Sequence, residues 1–320
     1  MIEKNQKGFT LVELMVVLAI LGIVVVGVLG LITQQNKAYH SEEAIIDMQM
    51  NNRVAMDHLV HIIRMAGFGC QENISDSVNG FTSVITATNN NNAPDSLTVV
   101  SGLKKVGVVD NDNNPTNGSY PTTTTTIIPV KMDGGLTFTD FFNDSNKQYF
   151  YISPAISKGF LTISSGGVDN ANKKLTKTGA NITIKEGDNI YTIKAYTLAV
   201  NNGNLTINEN TGTGNQVYAE NIEDLQFQYG WDANNDGRIT ATEWLNNPAG
   251  SESLIRAVKI YILARSGQPD RDFTDLHDDD GTTAGKQYII ADHTITLNSS
   301  TEHYHRYPVE ATVFIRNLNF

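Results

Sequence analysis

Nineteen consecutive residues, Leu14 to Ile32, carry no charge, and no other feature limits this chain so tightly. A helix crosses a bilayer with roughly 20 apolar residues, so the run is long enough to span. It is too long for the apolar core of a cleaved secretory signal, roughly 7–15 residues, and no small-x-small site follows around Thr33 to Ala38. A plain anchor explains the length but not Glu13, at the head of the run. A carboxylate costs roughly 2.5–3.5 kcal/mol in the middle of a span and less near its end, so this one requires a partner. Lys4 and Lys7 precede the span and predict a cytoplasmic start with everything after Ile32 outside; Glu3 barely alters that.

The remainder is of another nature. The formal charge of −11 and a pI near 5.0 argue against broad attraction to nucleic acid or anionic lipid, and no nucleic-acid partner is expected. Cys70 is the single cysteine, which excludes an intramolecular disulfide and a thiolate metal cluster. Beyond the span, Ile45, Met48, Ala55, Leu59, Ile62 and Ala66 keep largely to three- and four-residue spacing. That stripe predicts a continuing helix covered by a sheet, with Gly67 and Gly69 as its terminators. His58 and His61 lie a turn apart, without further ligands nearby to make a metal site.

From Phe81 onward, short β-rich runs such as "SLTVV" at Ser96, "YFYIS" at Tyr149, "FLTIS" at Phe160, "NITIK" at Asn181 and "NIYTIKAYTLAV" at Asn189 alternate with Gly, Asn, Asp and Pro. Three segments read as polar loops: Asn89 to Asp95, Asn111 to Thr126 and Ser165 to Lys174. Residues 83–215 lack helix-length patterns and read as an inserted β-rich subdomain. Val258, Ile260 and Ile262 alternate with Lys259, Tyr261 and Leu263, as in a strand packed on one face.

"KGFTLVEL", Lys7 to Leu14, resembles the class III signal of type IV pilins and type II secretion pseudopilins. The resemblance implies that a prepilin peptidase cuts after Gly8 and methylates Phe9. It also implies that Glu13, at the fifth mature position, faces the terminal amine of a neighbouring subunit, which removes most of the penalty of each charge. "MNNRVAMDHLVHIIRMAGFGC", Met50 to Cys70, resembles the helix end of PilW-like minor pilins, although the second cysteine of many relatives is missing here. "VYAENIEDLQFQYGWDANNDG", "LIRAVKIYILARS" and "RYPVEATVFIRNLNF" resemble their closing strands, while the middle of the chain shows hardly any likeness. The implied fold is α+β: a leader over 1–8, a long helix over 9–66 whose membrane part is 9–32, and an antiparallel β-sheet head over 67–320. The implied setting is single-pass in the inner membrane with the head outside the cytoplasm, then the surface pilus, with other pilin subunits as partners through the helix.

One segment carries chemistry. "DANNDGRITATE", Asp232 to Glu243, follows the twelve-residue calcium loop of an EF-hand position by position. Asp232, Asn234 and Asp236 supply side-chain oxygens, Gly237 the sharp turn, Arg238 a carbonyl, Ile239 an apolar plug, Thr240 a hydroxyl or water bridge, and Glu243 two oxygens. An all-oxygen set points to a hard cation, Ca2+. Because "LQFQYGW" before it reads as a strand, the loop is expected on a sheet rather than between helices. The acidic runs at Asp110 and Asp275 lack this register, and "HYHRY" at His303 reads as a turn and strand start. Nucleophile-elbow, P-loop and H-E-x-x-H motifs are absent from the sequence, so no enzyme is expected. The expected function is a minor pilin that initiates, caps or decorates a type IV pilus. The alternatives are a type II secretion pseudopilin, which shares the leader and helix, and a membrane-anchored calcium-dependent adhesin.

Overall fold

A computed structural model describes residues 10–70, 73–110, 122–142, 149–153, 161–281 and 286–317. One helix, α1 (Leu11–Arg64), opens the chain. It passes through two compact units, the first ending at Asp47 and the second running from Met48 to Phe320. In the first unit its apolar side chains are exposed on every side, Leu11, Ile23 and Val26 by more than seven-tenths, which is the surface of a helix whose natural neighbours are lipid or other helices. From Met48 it buries a stripe of Met48, Asn52, Ala55, Met56, Leu59, Ile62 and Ile63. The predicted spacing is there, with Asn52, Met56 and Ile63 added to the stripe. Asn52 lies within the stripe, 1% exposed, and donates from Nδ2 to the Tyr307 carbonyl at 3.0 Å.

The helix ends where the sequence expects. Gly67 and Gly69 take φ of 77° and 75°, a left-handed backbone that costs glycine little. At Gly69 space is also short, since a Cβ would come within 3.0 Å of the Tyr151 ring and the Ile193 side chain. The loose carbonyls of the last turn find donors in the head: Ser101 Oγ to Met65 O at 2.6 Å, Asn317 Nδ2 to Ala66 O at 3.3 Å.

The strands follow in chain order. A small hairpin, β1 (Asn73–Val78) with β2 (Phe81–Ser83), leads into β3 (Ile85–Thr88) and the long β4 (Ser96–Val109). Then come β5 (Thr122–Thr125), β6 (Ile127–Met132), a short helix α2 (Phe138–Phe141), β7 (Tyr149–Ser153), β8 (Leu161–Asp169), β9 (Lys174–Lys177) and β10 (Ile182–Lys185). After them lie β11 (Asn189–Asn201), β12 (Asn204–Asn208), β13 (Asn215–Glu220), β14 (Ile222–Trp231) and β15 (Trp244–Leu245). The chain finishes with β16 (Ile255–Arg265), β17 (Gln287–Ile290), β18 (His293–Thr296) and β19 (Arg306–Phe314).

Two sheets dominate. A nine-stranded sheet runs β13-β12-β11-β7-β8-β9-β6-β4-β3, and β11 also pairs with β4. The ladder therefore closes on itself through β11, β7, β8, β9, β6 and β4, and closure removes the open edges of those strands. Phe142, Phe150, Ile152, Ile128, Leu175 and Ile190 belong to the core cluster of this ring. The second sheet has the order β15-β14-β16-β19, antiparallel throughout. Leu225, Phe227 and Tyr229 with Val258, Ile260 and Ile262 are buried on one of its faces. The β17–β18 hairpin covers part of the other, where Leu263, Tyr288, Ile290 and Leu297 cluster with Tyr261 and Ile295. That cover explains why Leu263, on the polar side of the predicted alternation, is fully buried.

Two loop expectations change, and the third segment, Asn89 to Asp95, is a loop whose last residue is buried. Ser165 to Asp169 continues β8, because a bulge between Ile163 and Val168 lets the strand absorb its glycines and resume pairing with β9. Thr122 to Thr125 forms β5 against β10, with Thr124 and Thr183 hydroxyls 3.1 Å apart; residues 111–121 lie outside the described residues. Asp95, the last residue of the first loop, is buried at 1% exposure. It caps two chains at once, accepting from Asn90 N at 2.7 Å and Phe227 N at 3.0 Å. Nearby, Asp224 Oδ2 meets His293 Nδ1 at 3.1 Å and Gln226 Nε2 donates to Asp224 Oδ1 at 3.0 Å.

Burial pushes the Asp95 carboxyl up to about 6, reinforced by the carboxylates of Asp292 and Asp224 and opposed by its two backbone donors. A carboxyl raised in the folded state contributes stability that is present below its ordinary value of 3.8 and lost as pH rises through about 6. Asp95→Asn removes that titration, at a fixed offset for the acceptor it loses. Between pH 4 and 7.5, unfolding measurements should find the variant gaining roughly 2–3 kcal/mol on the parent chain. A gap that does not move with pH contradicts the raised carboxyl.

Candidate assembly helix and metal loop

The start of α1 carries a reciprocal cap. Thr10 donates to Glu13 Oε2 from its backbone N at 2.9 Å and its hydroxyl at 3.0 Å, and Glu13 N donates back to Thr10 Oγ1 at 3.3 Å. This is the Thr-x-x-Glu capping box, which satisfies helix-end donors that otherwise have no partner. Glu13 is thus occupied within its own chain by Thr10, a residue sequence reasoning passed over although the Thr-x-x-Glu spacing is legible. Gly8 and Phe9 lie outside the described residues. Further along, Thr33 returns its hydroxyl to the Gly30 carbonyl at 2.8 Å, so this polar side chain satisfies itself next to the apolar run.

The acidic loop connects β14 to β15. Its ends are drawn together by the sheet: Gly230 pairs with Trp244, and Trp231 N donates to Glu243 O at 3.0 Å. Asp232 N is fixed on Leu254 O at 3.0 Å. Gly230 makes room for the loop, since a Cβ there would meet Ile239 at 3.0 Å and Trp244 at 3.2 Å. Ile239, the predicted plug, therefore lies against the sheet and holds the loop down.

Between these anchors the chain curls around its own carboxylates. Asp236 N donates to Asp232 Oδ1 and to Asn234 Oδ1, each at 3.0 Å, and Gly237 N to Asp232 Oδ2 at 3.0 Å. Arg238 N donates to Asp236 Oδ1 at 2.8 Å. On the far side Glu243 Oε2 accepts from Thr240 N at 2.7 Å and from its hydroxyl at 2.8 Å. Gly237 turns with φ of 76°, as the sixth position requires. Asp232, Asn234 and Asp236 thus gather on one side and Thr240 with Glu243 on the other. Among the described residues, no three His, Cys, Asp or Glu side chains are assembled into a metal-holding group. Asp232 and Glu243 are nonetheless buried, at 1% and 8% exposure, and neither meets a lysine or arginine among the described residues. Two buried anions without a counter-cation are costly, and a divalent ion is one way to offset them.

The remaining histidine and acid clusters are structural. His303 Nδ1 meets the Phe273 carbonyl at 2.6 Å, and His305 stacks on Phe273 with centroids 3.8 Å apart. Arg306 has a fully buried side chain, bonded to Glu223 at 2.6 and 3.1 Å and to Asp275 at 3.3 Å. The "HYHRY" segment is a turn and strand start, and Asp275 is the counter-ion of a buried guanidinium. His58 packs edge-on against Tyr218 at 4.8 Å.

The family model "Type IV Pilus-assembly protein W" matches residues 184–317, and the prokaryotic N-terminal methylation motif matches residues 4–29. The first match begins inside the segment 83–215, so the likeness extends further upstream than the closing strands suggest. Among solved structures the chain is similar to the type IV-like pilin TTHA1219 from Thermus thermophilus, at 16% identity and a TM-score of 0.24, covering 55% of this chain and 87% of that one. No curated protein matches the chain. The methylation motif ahead of an exposed apolar helix and the pilus-assembly match over residues 184–317 together support a PilW-like type IV pilin.

Proposed function

We propose that this pilin is a minor subunit that initiates, caps or decorates a type IV pilus, tethered in the inner membrane with its head outside until it enters the fibre. The observation that carries the reading is α1 itself, exposed and apolar on all sides over its first turns yet headed by Glu13. The cap on Thr10 engages only Oε2 of that carboxylate, and a fibre of like helices offers it a neighbour's terminal amine as well. Cleavage after Gly8 would free that amine on Phe9, and methylation would then modify it. Placement at or near the tip follows from bulk, because a head running from Met48 to Phe320 on every subunit would crowd a thin helical fibre. We also infer that the β-rich segment from 83 is an insertion ending before residue 184, where the family match begins.

In cells lacking the gene, sheared pili should be lost while the secreted-protein profile stays normal, and the intact gene should restore them. Normal pili with failed secretion would move the chain to the pseudopilins. Glu13→Ala should leave the head folded, by circular dichroism and melting, and cut incorporation into sheared fibres severalfold. Incorporation at the parent level would remove Glu13 from assembly.

The loop from Asp232 to Glu243 is proposed as a calcium site. Asp232, Asn234, Asp236, the Arg238 carbonyl, Thr240 and Glu243 would hold the ion after exchanging the loop's internal hydrogen bonds for metal–oxygen contacts. Ca2+ there would neutralise Asp232 and Glu243 and stiffen the β14–β15 connection. A ligand bound only to the folded state stabilises it by about 2.7 kcal/mol at a hundred times its dissociation constant. Chelation should therefore lower the melting temperature of the purified chain in detergent, and Glu243→Gln should melt alike with and without calcium. An unchanged melting temperature of the parent at saturating calcium would refute the site.

A further inference from the structure

A groove of about 320 Å3 opens between the β17–β18 hairpin and the outer face of β16 and β19, with Tyr261, His277, Tyr288, Ile289, Pro308 and Glu310 among its walls. Asp279 and Glu310 line it, and no lysine or arginine does. Its aromatic wall is rigid: His277 stacks on Tyr288 with centroids 4.1 Å apart and ring planes 14° apart, and the Tyr288 hydroxyl donates to Asp275 at 2.9 Å. Asp279 is equally fixed, one oxygen on His277 Nε2 at 2.7 Å and the other accepting from Ile289 N at 2.7 Å.

Glu310 differs. It is exposed, and among the described residues it has no hydrogen bond or ion pair. Its charge reaches its cross-strand partner on β16, where burial first and the Glu310 carboxylate second hold the Tyr261 hydroxyl above its usual range. Beside the groove, burial and the Asp280 carboxylate keep Asp278 above the ordinary aspartate value. The potential along this rim is negative, and the groove offers flat rings beside an unpaired anion.

We propose that the groove docks an arginine side chain presented by a partner protein. A guanidinium is planar, so it can stack on the His277 and Tyr261 rings while it pairs with Glu310, and it is more weakly hydrated than an ammonium. The cleft walls lower the local dielectric and strengthen the pair beyond that of an open surface. A neutral ligand would leave Glu310 without a counter-charge.

The test titrates the full chain, in detergent and labelled at histidine, with the peptide acetyl-Gly-Arg-Gly-amide and with its citrulline counterpart, which keeps the shape and loses the charge. A saturable shift of the His277 ring signals is expected for the arginine peptide alone. Glu310→Gln should weaken it by about two- to fivefold, the size of one partly exposed ion pair, and should melt with the parent because residue 310 is exposed. Equal responses to both peptides, no saturation, or an unchanged affinity in Glu310→Gln would overturn the proposal. Self-association of the chain that disappears in Glu310→Gln would make a second copy the occupant and overturn the assignment to another protein.

Discussion

The head depends on one change of solvent along a single helix. Over the run from Leu14 to Ile32 every side of α1 is apolar and exposed, so its surface must be satisfied by lipid or by other helices. From Met48 only a stripe is apolar, and that stripe is buried. Burying such a stripe contributes roughly 1.5–3 kcal/mol for each large side chain, more than helix propensity supplies. Asn52 in the middle of the stripe limits how the helix can sit, because its buried amide must reach the Tyr307 carbonyl. A sliding or rotated helix would leave that donor unsatisfied, at a cost of about 1–3 kcal/mol.

Polar groups perform the same fixing elsewhere in the head. The Arg306 guanidinium, buried at the first residue of β19, is clamped by Glu223 before β14's buried core and by Asp275 from the long loop after β16. Such a network adds little net energy over an apolar equivalent but penalises any arrangement that separates its members. Asp95, Asp224 and His293 join the loop before β4, strand β14 and the β17–β18 turn in a similar way. The pilin fold is a structural one, and these buried ions serve registration.

What could be read in the sequence follows the range of the interactions. The helix, its glycine stop and the main strands are legible because periods of 3.6 and 2 are local properties, and the predicted runs at Ser96, Tyr149 and Asn189 start where strands start. The acidic loop was readable as a pattern, and the structure adds what a pattern cannot contain, the pairing of Trp231 with Glu243 and the seat for Ile239 at Gly230. Misread segments were those whose state is set at a distance. Ser165 to Asp169 is glycine-rich and polar, yet pairing with β9 makes it a strand. Asp95 is hydrophilic by composition and buried by the backbone donors of two remote segments. Thr10 was missed for the opposite reason, since a capping box is short enough to hide inside a processing signal.

The closed ladder in the nine-stranded sheet has a kinetic meaning. Its longest seam joins β4 to β11, from Val108 against Asn189 to Ser96 against Ala199, so strands far apart in the chain must meet before the ring is complete. Such non-local pairing is paid in loop-closure entropy before any contact repays it, and it folds slowly. Until that seam forms, β4 and β11 both carry open edges, and the ring protects its strands only once the two have met.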